Sequence, residues 1–300
     1  MTSKPNPTPF LLSILILACL AAVPQPVQAS PATFSGAAVA GPAAASPFVK
    51  IMPFGDSITT SVGNIPDLFG APVAAQASYR YWLYLDLINS SPLPFIFIGT
   101  QTDNFGGAPL HAGEFDQHNE GHSGYMAIDF YASPNGRNGT PLTTFLNENS
   151  AGTTIPNVPD IVLMHLGTND LAYGYSVNEV ITHLSTLIDI FRSKNPKVKI
   201  LLAQIIPCKN TNYYPNPPSD MFAGCSKIPD LNAAIPALVT QKNTPVSPVI
   251  LVDQYTNFSV NNDTYDGVHP DASGEQKMAH KWADAILSLY HWEFLAMVVK

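Results

Sequence analysis

Short apolar runs alternate along this chain with longer segments in which apolar residues recur every three or four positions, the pattern of buried strands alternating with amphipathic helices. The first run, Val49 to Pro53, passes into Phe54-Gly55-Asp56-Ser57-Ile58-Thr59. Glycine permits a sharp turn, so this stretch predicts a buried strand that ends by holding Ser57 at its lip. Tyr79 to Ile88 has helical spacing, and Leu93 to Gly99 reads as a second strand. Asp160 to Leu166 reads as a third and runs into Gly167-Thr168-Asn169-Asp170. The clearest helix follows: Ser176 and Glu179 spell a capping box, Val177, Val180, Ile181, Leu184, Leu187, Ile188 and Phe191 share one face, and the helix ends before Pro196.

Val198 to Ile206 and Val249 to Val252 supply a fourth and a fifth strand, separated by a helix through Leu231, Ile235, Leu238 and Val239. A last helix passes through Met278, Trp282 and Ile286, and the apolar end Leu287 to Val299 reads as its continuation. Strand and helix alternating over some 240 residues argue for a parallel sheet of about five strands covered on both faces by helices. From Thr100 to Ser123 the pattern lapses into a loop long enough to suggest a role in function.

Open α/β sheets keep their chemistry at the carboxyl ends of the strands, and that rim gathers several polar residues here. Ser57 is the candidate nucleophile, although a serine on a turn is more often only a cap. His269 lies three residues after Asp266, a spacing that lets one loop present a base and the carboxylate that orients it. Asn169 offers a side-chain amide, and Gly121 offers a backbone N–H that no side chain obstructs. With the N–H of Ser57 they would make three donors for a developing oxyanion. Asp56 reads as a residue that organises the turn around the nucleophile. Ser123 is a weaker nucleophile candidate, since it lies in a long loop and the chain has no Gly-x-Ser-x-Gly elbow. His111, Asp116, His118, Glu120 and His122 crowd one loop and invite a zinc reading, against which stands the lack of a His-Glu-x-x-His helix. His165 reads as a hydrogen-bonded core histidine, and His183 as a polar-face residue without a role.

Composition narrows the class. With 46% apolar residues over 300 positions, a large core needs no metal to hold it. Residues 1–29 carry Lys4, an apolar run from Phe10 to Val23 and then Val27-Gln28-Ala29, the layout of a secretory signal peptide. Residues 30–47, rich in Ala, Ser, Pro and Gly, read as a flexible leader, which leaves residues 48–300 as the folded domain. The net charge of −8 disfavours nucleic acid and anionic lipid, and no membrane association is expected after signal cleavage. Of the three cysteines, Cys19 leaves with the signal, so Cys208 and Cys225 are expected to pair in an oxidising compartment. Asn89, Asn138, Asn257 and Asn262 stand in N-glycosylation triplets.

The segments Gly55-Asp56-Ser57-Ile58-Thr59, Gly121-His122-Ser123, Gly167-Thr168-Asn169-Asp170 and Asp266-Gly267-Val268-His269-Pro270, in this order, resemble the four blocks of the SGNH, or GDSL-type, hydrolases. Tyr79-Arg80, Glu120-Gly121-His122-Ser123-Gly124-Tyr125, and Gly274, Met278-Ala279 and Trp282 after His269 are most similar to carbohydrate esterase family 3, the acetylxylan esterases. The resemblance implies a flavodoxin-like three-layer α/β/α sandwich. It also implies Ser57 as nucleophile, His269 as base and Asp266 as its partner, with Ser57 N–H, Gly121 N–H and the Asn169 side chain as oxyanion donors. A secreted monomeric serine esterase acting on acetylated plant polysaccharide, with no cofactor and no metal, is the expectation. Phe105, Phe115, Tyr173, Tyr175, Tyr213 and Tyr214 are candidates to stack on sugar rings. The alternatives are a lipolytic or short-chain esterase acting on other small esters, and a carbohydrate-binding protein on this fold that has lost catalysis.

Overall fold

The structure is a computed structural model and describes residues 48–62, 65–66, 72–91, 94–132, 139–209 and 223–298. The expected signal peptide, leader, Asn138, Tyr213 and Tyr214 lie outside these residues. Strand β1 (Val49–Gly55) leads into a single helical turn, α1 (Ser57–Thr60), and then helix α2 (Tyr79–Ser90). Strand β2 (Phe95–Phe97) follows, then β3 (Ile161–His165), the turn α3 (Thr168–Ala172) and α4 (Val177–Lys194). Strand β4 (Lys199–Gln204), α5 (Ile228–Lys242), β5 (Val249–Asp253) and α6 (Ala272–Val298) complete the pattern. Each strand lies where the sequence placed one: β2, β3 and β4 are a residue or two shorter at the ends, and β1 and β5 run two and one residues longer.

The five strands pair in parallel in the order β2-β1-β3-β4-β5. Alternate strand residues face opposite sides. Met52, Phe54, Val162, Met164, Ile200 and Leu202 enter a core with Leu184 and Phe191 of α4 and Leu231 and Ile235 of α5. Ile51, Ile161, Leu163, Leu201 and Ala203 enter the other core, with Tyr79, Leu83 and Leu87 of α2 and Met278, Trp282 and Ile286 of α6. Two helices per face make the three-layer sandwich. The box at the start of α4 forms as read: Ser176 Oγ accepts the Glu179 N–H at 3.3 Å, and the Glu179 carboxylate accepts the Ser176 N–H at 2.8 Å. Such caps stabilise a helix by about 1 kcal/mol. Among the described residues no helix is long and apolar enough to cross a membrane.

Pro53 stands inside the central strand β1, an unusual place for a residue without an N–H. The register explains it. Val49 N–H, Ile51 O and Gly55 O all bond outward, to Pro94 O, Ile98 N–H and His122 N–H, on the edge away from β3. Pro53 shares their parity, so its nitrogen faces that same edge. There β2 covers only Val49 to Ile51, and the short strand Glu120–Gly121 pairs with Phe54 and Gly55. Pro53 falls in the interval between the two and breaks no ladder.

Chain order reverses between β1 and β3, since β2 lies on one side of β1 and β3 on the other. A crevice opens at such a switch point beyond the strand ends. Ser57 follows β1 and Asn169 follows β3, so topology alone brings these two together.

Candidate active site

Gly55 turns the chain out of β1 where nothing larger fits: a Cβ there would lie 2.3 Å from Thr59 Oγ1 and 2.6 Å from His165 O. Asp56 caps the next turn, its Oδ1 accepting the Ile58 N–H at 2.9 Å. Ser57 is thereby the first residue of α1, with an N–H that the helix itself leaves without an acceptor. Buried groups clamp the turn from below. Tyr79 O–H donates to Thr59 Oγ1 at 3.3 Å, and Arg80, wholly buried, donates to Thr60 O at 3.1 Å and to Asn104 Oδ1.

His269 arrives on the loop before α6. Its Nδ1 lies 2.6 Å from Asp266 Oδ2, and its Nε2 lies 2.9 Å from Ser57 Oγ. Asp266 Oδ1 also accepts the N–H groups of Val268 and His269, at 2.8 and 2.7 Å. This carboxylate thus holds both the loop and the ring, and it keeps the imidazole proton on Nδ1. The lone pair of Nε2 then faces the serine O–H. Burial pushes the Asp266 carboxyl up, but the hydrogen bond and charge of His269 and the two N–H groups outweigh it and leave its pKa below the ordinary carboxylate value. Burial pulls the His269 imidazole down, but Asp266, helped by the charge of Asp56, leaves its pKa above 6.5. Asp56 is itself buried, which pushes its carboxyl up to about 7 against the Ile58 N–H and His269.

The Asn169 amide donates to Tyr125 O at 2.9 Å and makes a longer contact, 3.4 Å, with Asp56 Oδ2. The side chain is therefore fixed beside the nucleophile turn with one N–H only weakly engaged. Gly121 does not fit the donor role expected of it. Its N–H is spent on Asn119 Oδ1 at 2.9 Å, in a buried bond. A Cβ at this position would lie 2.5 Å from Thr60 N, so this glycine lets the Glu120–Gly121 strand pack against α1. Gly124, which the sequence reading passed over as a donor, has φ 76° and an N–H with no acceptor among the described residues. It immediately precedes Tyr125, the residue whose carbonyl Asn169 grips.

A serine, an imidazole and a carboxylate connected in series, at the switch point of a parallel sheet, can be compared with known proteins. The sequence profile of the GDSL-like Lipase/Acylhydrolase family matches residues 54–277, from the nucleophile turn to beyond His269. The chain belongs to that family.

Membership makes this domain a carboxylic-ester hydrolase of the SGNH type. A multidomain esterase of Ruminococcus flavefaciens is 28% identical over 245 residues, 79% of this chain. The match covers only 28% of that protein's length. A carbohydrate esterase family 3 structure from Talaromyces cellulolyticus is similar with a TM-score of 0.59 and 26% identity, covering 81% of this chain and 98% of the other. A family 3 carbohydrate esterase from Clostridium thermocellum gives a TM-score of 0.56 and 29% identity, with the same coverage.

The remaining candidates in this hydrolase domain separate into distinct settings. The histidine-rich loop forms pairs rather than one cluster: Asp116 with His118 at 2.6 Å, Glu120 with His122 at 2.7 Å, and His111 with Glu114 at 3.3 Å. His165 is buried, accepts the Ile206 N–H at 3.2 Å, and has its pKa lowered by burial to about 4. His183 corrects the polar-face reading. It is buried, with Nδ1 3.0 Å from Asp170 Oδ1, because it stands three residues after Val180 and four before Leu187 on the inner side of α4. Ser123 is exposed and stands near neither relay histidine nor a base of its own in the described hydrogen bonds. Cys208 and Cys225 form a disulfide with Cα atoms 5.3 Å apart. Asn89, Asn257 and Asn262 are exposed. Of the aromatics, Phe105 and Tyr173 are about half exposed, whereas Phe115 is buried edge-on against Tyr81 and so is not free to stack on a ligand.

Proposed function

We propose that this protein is a secreted serine esterase that removes acetyl groups from plant cell-wall polysaccharide. The observation that carries the catalytic part is the relay of 2.9 and 2.6 Å from Ser57 through His269 to Asp266. Ser57 Oγ attacks the ester carbonyl while His269 Nε2 takes its proton. The tetrahedral oxyanion is held by Ser57 N–H and the Asn169 amide, with Gly124 N–H in the position first given to Gly121. As the intermediate collapses, the proton on Nε2 passes to the departing alkoxide, which leaves as the sugar alcohol. Water then attacks the acetyl-enzyme, giving its proton to His269 and returning it to Ser57 Oγ as acetate leaves. Asp266 stabilises the imidazolium at both stages without taking its proton. No step calls on a cofactor.

The substrate class rests on the similarity to family 3 carbohydrate esterases and on the signal-like start of the chain. The test compares acetate release from acetylated xylan with turnover of p-nitrophenyl esters of increasing chain length. Fastest turnover on acetyl esters, with acetate released from the polymer, is expected. Faster turnover of long acyl chains would move the assignment to a lipolytic esterase. Labelling of Ser57 by an organophosphonate separates either enzyme from a non-catalytic carbohydrate-binding protein.

A further inference from the structure

Beside the nucleophile turn lies a cleft of about 200 Å³ between the loop 101–105 and the loop 121–125. Its walls include Gln101, Asp103, Phe105, His122, Ser123 and Tyr125, and Thr60 at the end of α1 lines it too. The cleft adjoins the reacting centre through two of these residues. Thr60 ends the helical turn that Ser57 begins, and the carbonyl of Tyr125 is the one that Asn169 holds.

The lining combines one apolar face with hydrogen-bond acceptors. Phe105 is 52% exposed, with its ring available to a ligand, and Asp103 beside it is exposed as well. Neither residue is on a slack loop. Phe105 N–H donates to Ser61 O at 3.0 Å, and Asn104 between the two is buried. The Asn104 amide donates to Val62 O and Gln76 O at 3.0 Å each, and its Oδ1 accepts from the buried Arg80. The same arginine clamps Thr60, so the cleft wall and the nucleophile turn hang from one guanidinium.

His122 supplies a second fixed acceptor. Its ring is stacked between Tyr125 and Phe145, with centroids 4.8 and 4.6 Å away. Its Nε2 meets Glu120 Oε1 at 2.7 Å, and that carboxylate is wholly buried and further held by Thr100 and Asn157. A carboxylate oxygen only accepts, so the ring proton sits on Nε2. Nδ1 is left as an acceptor with no partner among the described residues.

We infer that this cleft is the sugar subsite of the esterase: a pyranose ring lies with its C–H face on Phe105, and its hydroxyls donate to Asp103 and to His122 Nδ1. The inference rests on the carbohydrate reading of the same active site. Stacking rings with polar rims are bound by an aromatic face with convergent acceptors. A pre-set wall loses little freedom on binding.

The test uses the full chain carrying Ser57→Ala, so that binding is read without turnover, and xylotetraose followed by NMR titration. Adding Phe105→Ala or Asp103→Ala should weaken binding about tenfold. Ile88→Ala, an exposed apolar residue on the distant part of α2, should leave it unchanged, with thermal unfolding verifying that each variant is folded. Binding that survives both cleft substitutions within twofold overturns the subsite and leaves the esterase assignment standing. So does an absence of xylotetraose binding in an enzyme whose active form still prefers acetylated xylan to long-chain esters. If neither binding nor that preference is found, the carbohydrate reading falls first and the subsite with it.

Discussion

Two of the imidazole–carboxylate pairs, His269 with Asp266 and His183 with Asp170, close at 2.6 and 3.0 Å. In both, Nδ1 meets the carboxylate. They differ in what surrounds the rest. Asp170 is wholly buried, its second oxygen takes the Ala127 N–H, and the His183 ring packs edge-on to Tyr175. His269 instead turns its Nε2 to a serine at a crevice. Pairing a histidine with an acid is therefore a structural unit that recurs in this fold, and of these two copies the third group and access to solvent turn one toward chemistry.

The comparison is broken most severely at its third member. Ser57→Ala should reduce acetyl-ester turnover by at least about 10⁴-fold while far-UV circular dichroism and thermal unfolding stay those of the parent. Asn169→Ala keeps the relay but removes an oxyanion donor, and a loss of about 10²- to 10³-fold in kcat is expected. The buried pair should answer differently. His183→Ala leaves the Asp170 carboxylate without its partner, and chemical denaturation should show a loss of about 1–3 kcal/mol while turnover per folded molecule is kept. A loss of activity in the folded His183 variant would erase the distinction.

Protonation sharpens the same contrast. Burial raises Glu275 from 4.5 to about 8 although it accepts from the Ser78 N–H and the Ser61 O–H. The native protein thus keeps a proton that the unfolded chain releases, and stability falls as pH rises from about 4.5 to 8. Glu275→Gln should flatten that slope, which amounts to on the order of 5 kcal/mol, in denaturation curves measured across this window. Asp56, raised to about 7, acts in the same direction. Asp266 acts oppositely: its lowered pKa makes a contribution present above the ordinary Asp value and lost as pH falls through the folded one. In catalysis His269 must be neutral to accept the serine proton, so the rate should climb with pH through its raised pKa. Asp56→Asn removes a charge that supports the imidazolium. The acidic limb of the pH–rate profile should then move to lower pH, the smallest effect of the set.

Much of this arrangement was legible in the chain before any coordinates. Strand β1, β3 and the box-capped helix α4 declare themselves through runs and spacing, and the strand ends then dictate that Ser57 and Asn169 meet. The Asp266–His269 spacing needed only one loop. What escaped were matters of direction. His183 was judged by its polarity, although counting from Val180 and Leu187 puts it on the buried stripe. Two glycines lie within Gly121-His122-Ser123-Gly124, and only the side chain of Asn119, folding back on the first, tells which N–H is free. Arg80 gave no sign that a guanidinium would be wholly enclosed, because its partners are neutral, the Ser78 hydroxyl, the carbonyls of Thr60 and Gln117 and the Asn104 amide oxygen, drawn from separate stretches of chain. Phe115 carries the same residue type as Phe105 and the opposite exposure, which hydrophobicity cannot distinguish.

The interval at Pro53 has an outcome for how this enzyme can diverge. Because one edge of β1 receives β2 first and Glu120–Gly121 after it, everything from Ile98 to Asn119 is an excursion that leaves the sheet and returns to the same strand a few positions on. Both feet are riveted, and Asn104 and the Gln117 carbonyl are held by Arg80, so it is the exposed side chains of the excursion, Asp103 and Phe105 among them, that can change without disturbing the ladder. Selection can therefore remodel the exposed wall of the cleft while the atoms of the relay stay where they are.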